Sequence, residues 1–158
     1  MEAKQIMNNP IPNSKPVIDQ ARFVNYKIKE DNKDVRYATK QANEISQIWQ
    51  DRLLNIDSER YKKEVNIGGK LGEKIDLVDF REKVAYELKV SGENPGHEFY
   101  KNLFKVLVFN QNYNMIKLQR LVFITEGKGI DKLEKGLGKA AADFLQQFNI
   151  AVELARLD

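Results

Sequence analysis

The stretch IDLVDFREKVAYELKV, residues 75–90, reads as two short apolar strands joined by a charged turn. Three of its charges, Asp76, Glu87 and Lys89, fall inside those strands and not in the turn. A charge in such a place is costly unless it is paired, solvated at a cleft or bound to a metal. Side chains alternate along a strand, so Glu87 and Lys89 share one face while Tyr86, Leu88 and Val90 share the other, toward a core. Across the turn, Asp76 shares its face with Val78 and Phe80. A tight turn centred on Arg81 and Glu82 sets Asp76 directly opposite Glu87, whereas a slip of one residue sets it opposite Leu88. In the first register two carboxylates and one ammonium meet at a single spot. Two close carboxylates raise each other's pKa, and a divalent cation between them removes that cost. A neighbouring lysine can then stabilise charge growing on a phosphate oxygen. Such a site suits attack of water on a phosphodiester.

Outward from the hairpin the chain alternates helices and strands. Residues 36–54 carry Ala38, Ala42, Ile45, Trp49 and Leu53 at three- and four-residue steps, the stripe of a helix, with Glu44 at its edge and Trp49 in the core. A polar stretch with a strand expected around 64–67 leads to the turn cluster GGKLG at 68–72. After the hairpin come a helix over 97–111, with Tyr100, Leu103, Phe104, Leu107 and Val108 along one side, and a strand over 118–126. A third helix is expected over 131–148 and a last strand over 150–157. That order predicts an α/β fold, a mixed β-sheet flanked by helices. Asp79, near the turn, reads as a surface charge. Residues 1–34 differ: NNPIPNSKP holds three of the four prolines, so the segment reads as an arm or linker, with ARFVNYKIKE as a short strand.

Asp76, ten intervening residues and then Glu87-Leu88-Lys89 resemble the PD-(D/E)xK signature of the restriction-endonuclease-like nuclease superfamily. Lys74-Ile75 stands where the name of the signature has proline. Glu2-Ala3-Lys4, Asp31-Asn32-Lys33 and Glu126-Gly127-Lys128 also spell acid-x-Lys, but only Glu87-Leu88-Lys89 lies in a predicted strand one hairpin from an aspartate. The resemblance implies a restriction-endonuclease-like core over 35–158, following the 1–34 arm. It implies Mg²⁺ or Mn²⁺ held by Asp76, Glu87 and the backbone carbonyl of Leu88, with Lys89 as the catalytic lysine and Glu44 as an additional ligand from the first helix. His97, Lys101 and Lys105 recur every four residues just after this site. They fit either a solvated helix face or contacts to the phosphates of a nucleic acid led into the cleft. Lys70, in GGKLG, could reach a phosphate as well. Neither GGKLG nor EKGLGK fits GxxxxGK[ST], so the first reads as a turn and the second as helix sequence with glycines.

Composition sets the limits. With 158 residues, 42% apolar and 31% charged, the chain has the make-up of one ordinary soluble domain with a real core. The absence of cysteine excludes disulfides and thiolate sites, and a single histidine excludes a zinc site of several imidazoles. Any metal should then be a hard cation on carboxylates and carbonyls. The net charge of +3 permits a nucleic-acid partner if the lysines cluster. MEAKQIMNN lacks the apolar segment of a secretory signal, and no run approaches a membrane span. A cytoplasmic site of action without a membrane partner is therefore expected, with delivery as part of a larger secreted protein kept open. The function expected is a Mg²⁺-dependent endonuclease, with DNA favoured over RNA. Two relatives of that reading are a tRNA-cleaving toxin domain neutralised by an immunity protein and a restriction enzyme acting as a homodimer. The remaining alternative is a non-catalytic module that binds nucleic acid or protein.

Overall fold

The computed structural model describes residues 4–5, 13–32 and 38–158. In chain order the elements are β1 (Lys4–Gln5), α1 (Lys15–Asp31), α2 (Ala38–Ile56), β2 (Tyr61–Asn66), β3 (Lys74–Asp79) and β4 (Val84–Lys89). They continue with α3 (Pro95–Asn112), β5 (Arg120–Thr125), α4 (Gly127–Gly136), α5 (Lys139–Gln147) and β6 (Ala151–Arg156). The strands form one mixed sheet in the order β1-β6-β5-β4-β3-β2. β2, β3 and β4 are an antiparallel meander, and β5 and β6 add parallel to β4. Parallel neighbours need a crossover, which α3 supplies between β4 and β5, and α4 with α5 between β5 and β6. The two-residue β1 borders β6 antiparallel.

Helices cover both faces of the sheet. On one face α1 and α2 lay Val17, Ala21, Ile45, Trp49 and Leu53 against Leu77, Tyr86, Leu88, Val122 and Ile124. On the other, α3, α4 and α5 lay Phe99, Leu103, Val106, Ile130 and Leu145 against Val78, Ala85, Leu121, Phe123 and Val152. Two covered faces explain why RLVFIT and AVELAR are nearly continuous apolar runs. No helix among the described residues is long and apolar enough to cross a membrane.

Four expectations need correction. ARFVNYKIKE is helical, not a strand: it lies in α1, where Val17, Ile18, Ala21 and Val24 recur at helical spacing behind a proline in the first turn. Residues 15–31, expected within an extended arm, thus share a core with α2, and Trp49 Nε1 donates to the Val17 carbonyl at 3.0 Å. The proline-rich residues 8–12 lie outside the described residues. The helix expected over 131–148 is two helices, broken where Gly136 and Gly138 flank Leu137. Glycine is a poor helix former, and Gly138 is extended at φ −92°, ψ −174°. On α3 the buried side runs through Phe99, Leu103, Val106 and Phe109, while Tyr100 and Phe104 are exposed. Leu103 is buried as expected and Leu107 and Val108 pack against the core, but the helix has more apolar residues than one face can hold, so spacing alone misplaced Tyr100 and Phe104. Asp79, finally, is fully buried and not a surface charge.

Candidate active site at the open end of the hairpin

Asp79 fixes the hairpin. Its Oδ1 accepts from the Arg81 and Glu82 amides, both at 3.0 Å, and its Oδ2 accepts from Arg60 Nε at 2.9 Å and Nη2 at 2.7 Å. A carboxylate tied to its own turn leaves β3 and β4 one register: Leu77 faces Tyr86, Val78 faces Ala85 and Asp79 faces Val84. That ladder is centred on Arg81 and Glu82, as the first of the two registers required.

Asp76 and Glu87 are the next facing positions, and there the ladder ends. Leu88 would next face Ile75, but its N–H donates to Asp76 Oδ2 at 3.0 Å. The Asp76 N–H in turn donates to Glu87 Oε1 at 3.4 Å, so each carboxyl accepts from the backbone of the other strand. Burial raises the Asp76 pKa, and the Leu88 amide and the contact with Glu87 oppose that rise. Glu87 is pushed well above the usual carboxylate range, first by burial and then by the Asp76 charge, with Lys105 pulling it back. Without a cation, the pair therefore favours keeping a proton between its carboxyls.

Two lysines approach this pair. Lys105 reaches in from α3 and places Nζ 3.3 Å from Glu87 Oε1, with both side chains buried. Lys89 follows Glu87 on β4, but its half-exposed ammonium lies 3.8 Å from Glu98 Oε1 of α3. The direct ammonium partner of the acids is thus Lys105, which the sequence assigned to phosphate contacts. The signal for this was its spacing, because Lys105 shares the buried side of α3 with Asn102 and Phe109. Sequence reasoning also missed Glu64. The β2–β3 register sets it beside Asp76, the ladder skips it, and its backbone has φ +48°. Its negative charge adds to the rise of the Asp76 pKa. Glu44 is exposed on α2, which packs on the sheet face opposite α3. Among the described residues no group of three or more His, Cys, Asp or Glu side chains is placed to hold a metal, so neither Glu44 nor Glu64 completes a third acidic ligand.

The oxygen donors present nevertheless suit a hard cation. Mg²⁺ is commonly held by one or two carboxylates, with water and phosphate oxygens completing its shell. In a strand the N–H and carbonyl of one residue point to the same side. The Leu88 amide faces Asp76, which puts the Leu88 carbonyl on the β3 side of β4 as well.

Beside the pair, a groove of about 670 Å³ runs between α3 and the loop after β2. Lys70, His97, Lys101 and Lys105 all line it, so the four residues assigned to nucleic-acid contact are gathered in one place. The loop is pinned where Asn112 Nδ2 donates to the Ile67 carbonyl at 2.9 Å. Gly68, at φ +93°, is required there, since a Cβ would stand 2.6 Å from Asn112 Nδ2. No known family model matches the chain, and neither does any curated protein or solved structure.

Proposed function

We propose that this protein is a metal-dependent nuclease with a restriction-endonuclease-like core, hydrolysing phosphodiester bonds of nucleic acid, with DNA as the favoured substrate. The observation that carries the reading is the meeting of the Asp76 and Glu87 carboxyls beyond the last paired residues of the hairpin. Asp76 on β3, Glu87 and Lys89 on β4, and then α3, β5 and α4 follow the element order of a PD-(D/E)xK core, which supports the reading. A groove that carries four basic side chains and adjoins the acids gives the substrate a path.

The residues divide the work. Asp76, Glu87 and the Leu88 carbonyl would hold Mg²⁺ or Mn²⁺. Bound there, the cation would offset the paired negative charge, lower the pKa of the attacking water and draw charge from the phosphate. Lys105, fixed against Glu87, opposes the rise of that carboxyl's pKa and orients it. Lys89, half exposed and held only loosely by Glu98, can turn toward a phosphate oxygen or the incoming water. Lys70, Lys101 and His97 hold the flanking phosphates and set the register of the strand.

The test is digestion of supercoiled plasmid, of circular single-stranded DNA and of total tRNA with Mg²⁺, Mn²⁺ or EDTA, wild type against Asp76→Asn, Glu87→Gln and Lys89→Met. Metal-dependent cutting of plasmid that each substitution abolishes is the expected result. Cutting of tRNA alone would move the substrate to RNA. No metal-dependent cutting of plasmid, of tRNA or of circular single-stranded DNA, by a folded wild type, would refute the nuclease.

A further inference from the structure

The α3 wall of the groove is unlike an ordinary solvated helix face. Tyr100 and Phe104, one turn apart on α3, are 54% and 60% exposed, and Leu71 from the loop after β2 is 81% exposed. Clustered large apolar side chains at a groove mark a binding surface and not a random scatter. Tyr100 is held in place: its ring meets the buried Phe99 ring edge-on, with centroids 5.5 Å apart. Lys101 lies between the two exposed rings in sequence, His97 lies one turn before Tyr100, and Lys70 comes from the loop. Glu73 is the one acidic side chain in the lining.

Cations alternating with exposed rings answer one chemistry closely. Unpaired bases stack on aromatic faces, while the backbone between them needs positive charge. An intact duplex would offer its phosphates to the lysines but would keep its bases stacked away from the rings. An apolar helix of a protein partner would cover the rings and leave the cations unanswered.

We propose that this groove binds unpaired nucleotides of single-stranded DNA or RNA, stacking bases on Tyr100 and Phe104 and holding their phosphates with Lys70 and Lys101. The proposal rests on the nucleic-acid part of the function proposed above and adds the form of the substrate. Lys105 belongs to both places, since it lines the groove and pairs with Glu87. A strand seated on the rings would bring its next phosphodiester to the carboxylates.

Binding is measured in EDTA, where nothing is cut, by anisotropy of a labelled 20-mer as single-stranded DNA, as single-stranded RNA and as a blunt duplex. The single strands are expected to bind at least tenfold more tightly than the duplex. Tyr100→Ala and Phe104→Ala should each weaken them about tenfold with little change in salt slope, and Tyr100→Phe should keep wild-type affinity. Lys101→Ala should lower the salt slope by about one. All three side chains are exposed, and thermal unfolding checks that the variants fold. Equal affinity for single strand and duplex, or single-strand binding unaltered by loss of the rings, would overturn the proposal. So would binding of no oligonucleotide at all. Preferential binding to DNA or to RNA selects the source and leaves the proposal standing. Ring-dependent binding without any metal-dependent cutting would uphold the groove and sink the nuclease. Asp76-dependent cutting without ring-dependent binding would do the reverse.

Discussion

Lys105 Nζ stands 3.3 Å from Glu87 Oε1, with α3 and β4 each burying its half of the pair. The ion pair bridges a helix–sheet contact and opposes the rise in pKa that burial and Asp76 impose on Glu87. It also separates the roles of two lysines that the sequence made look alike. Lys105 is a structural counter-charge, and Lys89 is a cation with freedom to move.

Removing the ammonium should therefore be felt first as lost stability. Lys105→Met leaves Glu87 buried beside Asp76 with no compensating charge, a change that costs about 3 kcal/mol at neutral pH. In acid the cost should shrink, because Glu87 can take up a proton instead. Urea unfolding at two pH values measures both numbers. An equal cost at both would mean that Glu87 is not the partner that matters.

The acid pair makes its own pH prediction. Both carboxyls have raised pKa values, from burial first in each case. Their contribution to stability is thus complete below the ordinary carboxylate range, near pH 4, and is lost as pH rises through the raised values. Asp76→Asn removes one of the two charges and keeps an oxygen for the Leu88 amide. It should be more stable than wild type at neutral pH, and the two should converge below about pH 4. Cutting should fall by on the order of 10²–10³-fold. Thermal unfolding across pH, read beside plasmid digestion, tests both halves.

Much of this was legible in the chain, for reasons that differ from place to place. The hairpin register could be anticipated because a centred turn and strict alternation leave only two options. Asp79 selects between them through bonds to Arg81, Glu82 and Arg60 that no pattern announces. The α1 helix was hidden by the prolines before it, since its apolar residues become a stripe only against α2. On α3, surplus apolar residues concealed which side faces the sheet. That one error hid both the buried Lys105 and the exposed rings. Glu64 gave no signal, because its place beside Asp76 exists only through the pairing of β2 with β3.

Lys89 should show the opposite balance from Lys105. Its side chain is 41% exposed and its pairing with Glu98 is long, at 3.8 Å. Such a pair contributes about 0.5 kcal/mol or less. Lys89→Met should leave the unfolding midpoint nearly unchanged and lower cutting about 10²–10³-fold. Melting curves and initial rates on one preparation decide it, and a large loss of stability would contradict the loose placement seen here.

The last prediction concerns the residue that sets the site's geometry from a distance. Asp79 is buried and answers four donor groups: the Arg60 Nε and Nη2, and the amides of Arg81 and Glu82. Asp79→Ala strands all of them and leaves the mostly buried Arg60 guanidinium without its partner, at a cost of about 3–5 kcal/mol. Asp79→Asn should cost less, because an amide oxygen can still cap the turn even though it no longer matches the guanidinium charge. The effect should also travel along the hairpin. With the turn loosened, β3 and β4 can slip, and the bond from the Leu88 amide to Asp76 opens more often. Hydrogen exchange at the Leu88 amide should then speed up in both variants, more in Ala than in Asn, under conditions where each stays folded. Unchanged protection at Leu88 would mean that the acids hold their register without the turn.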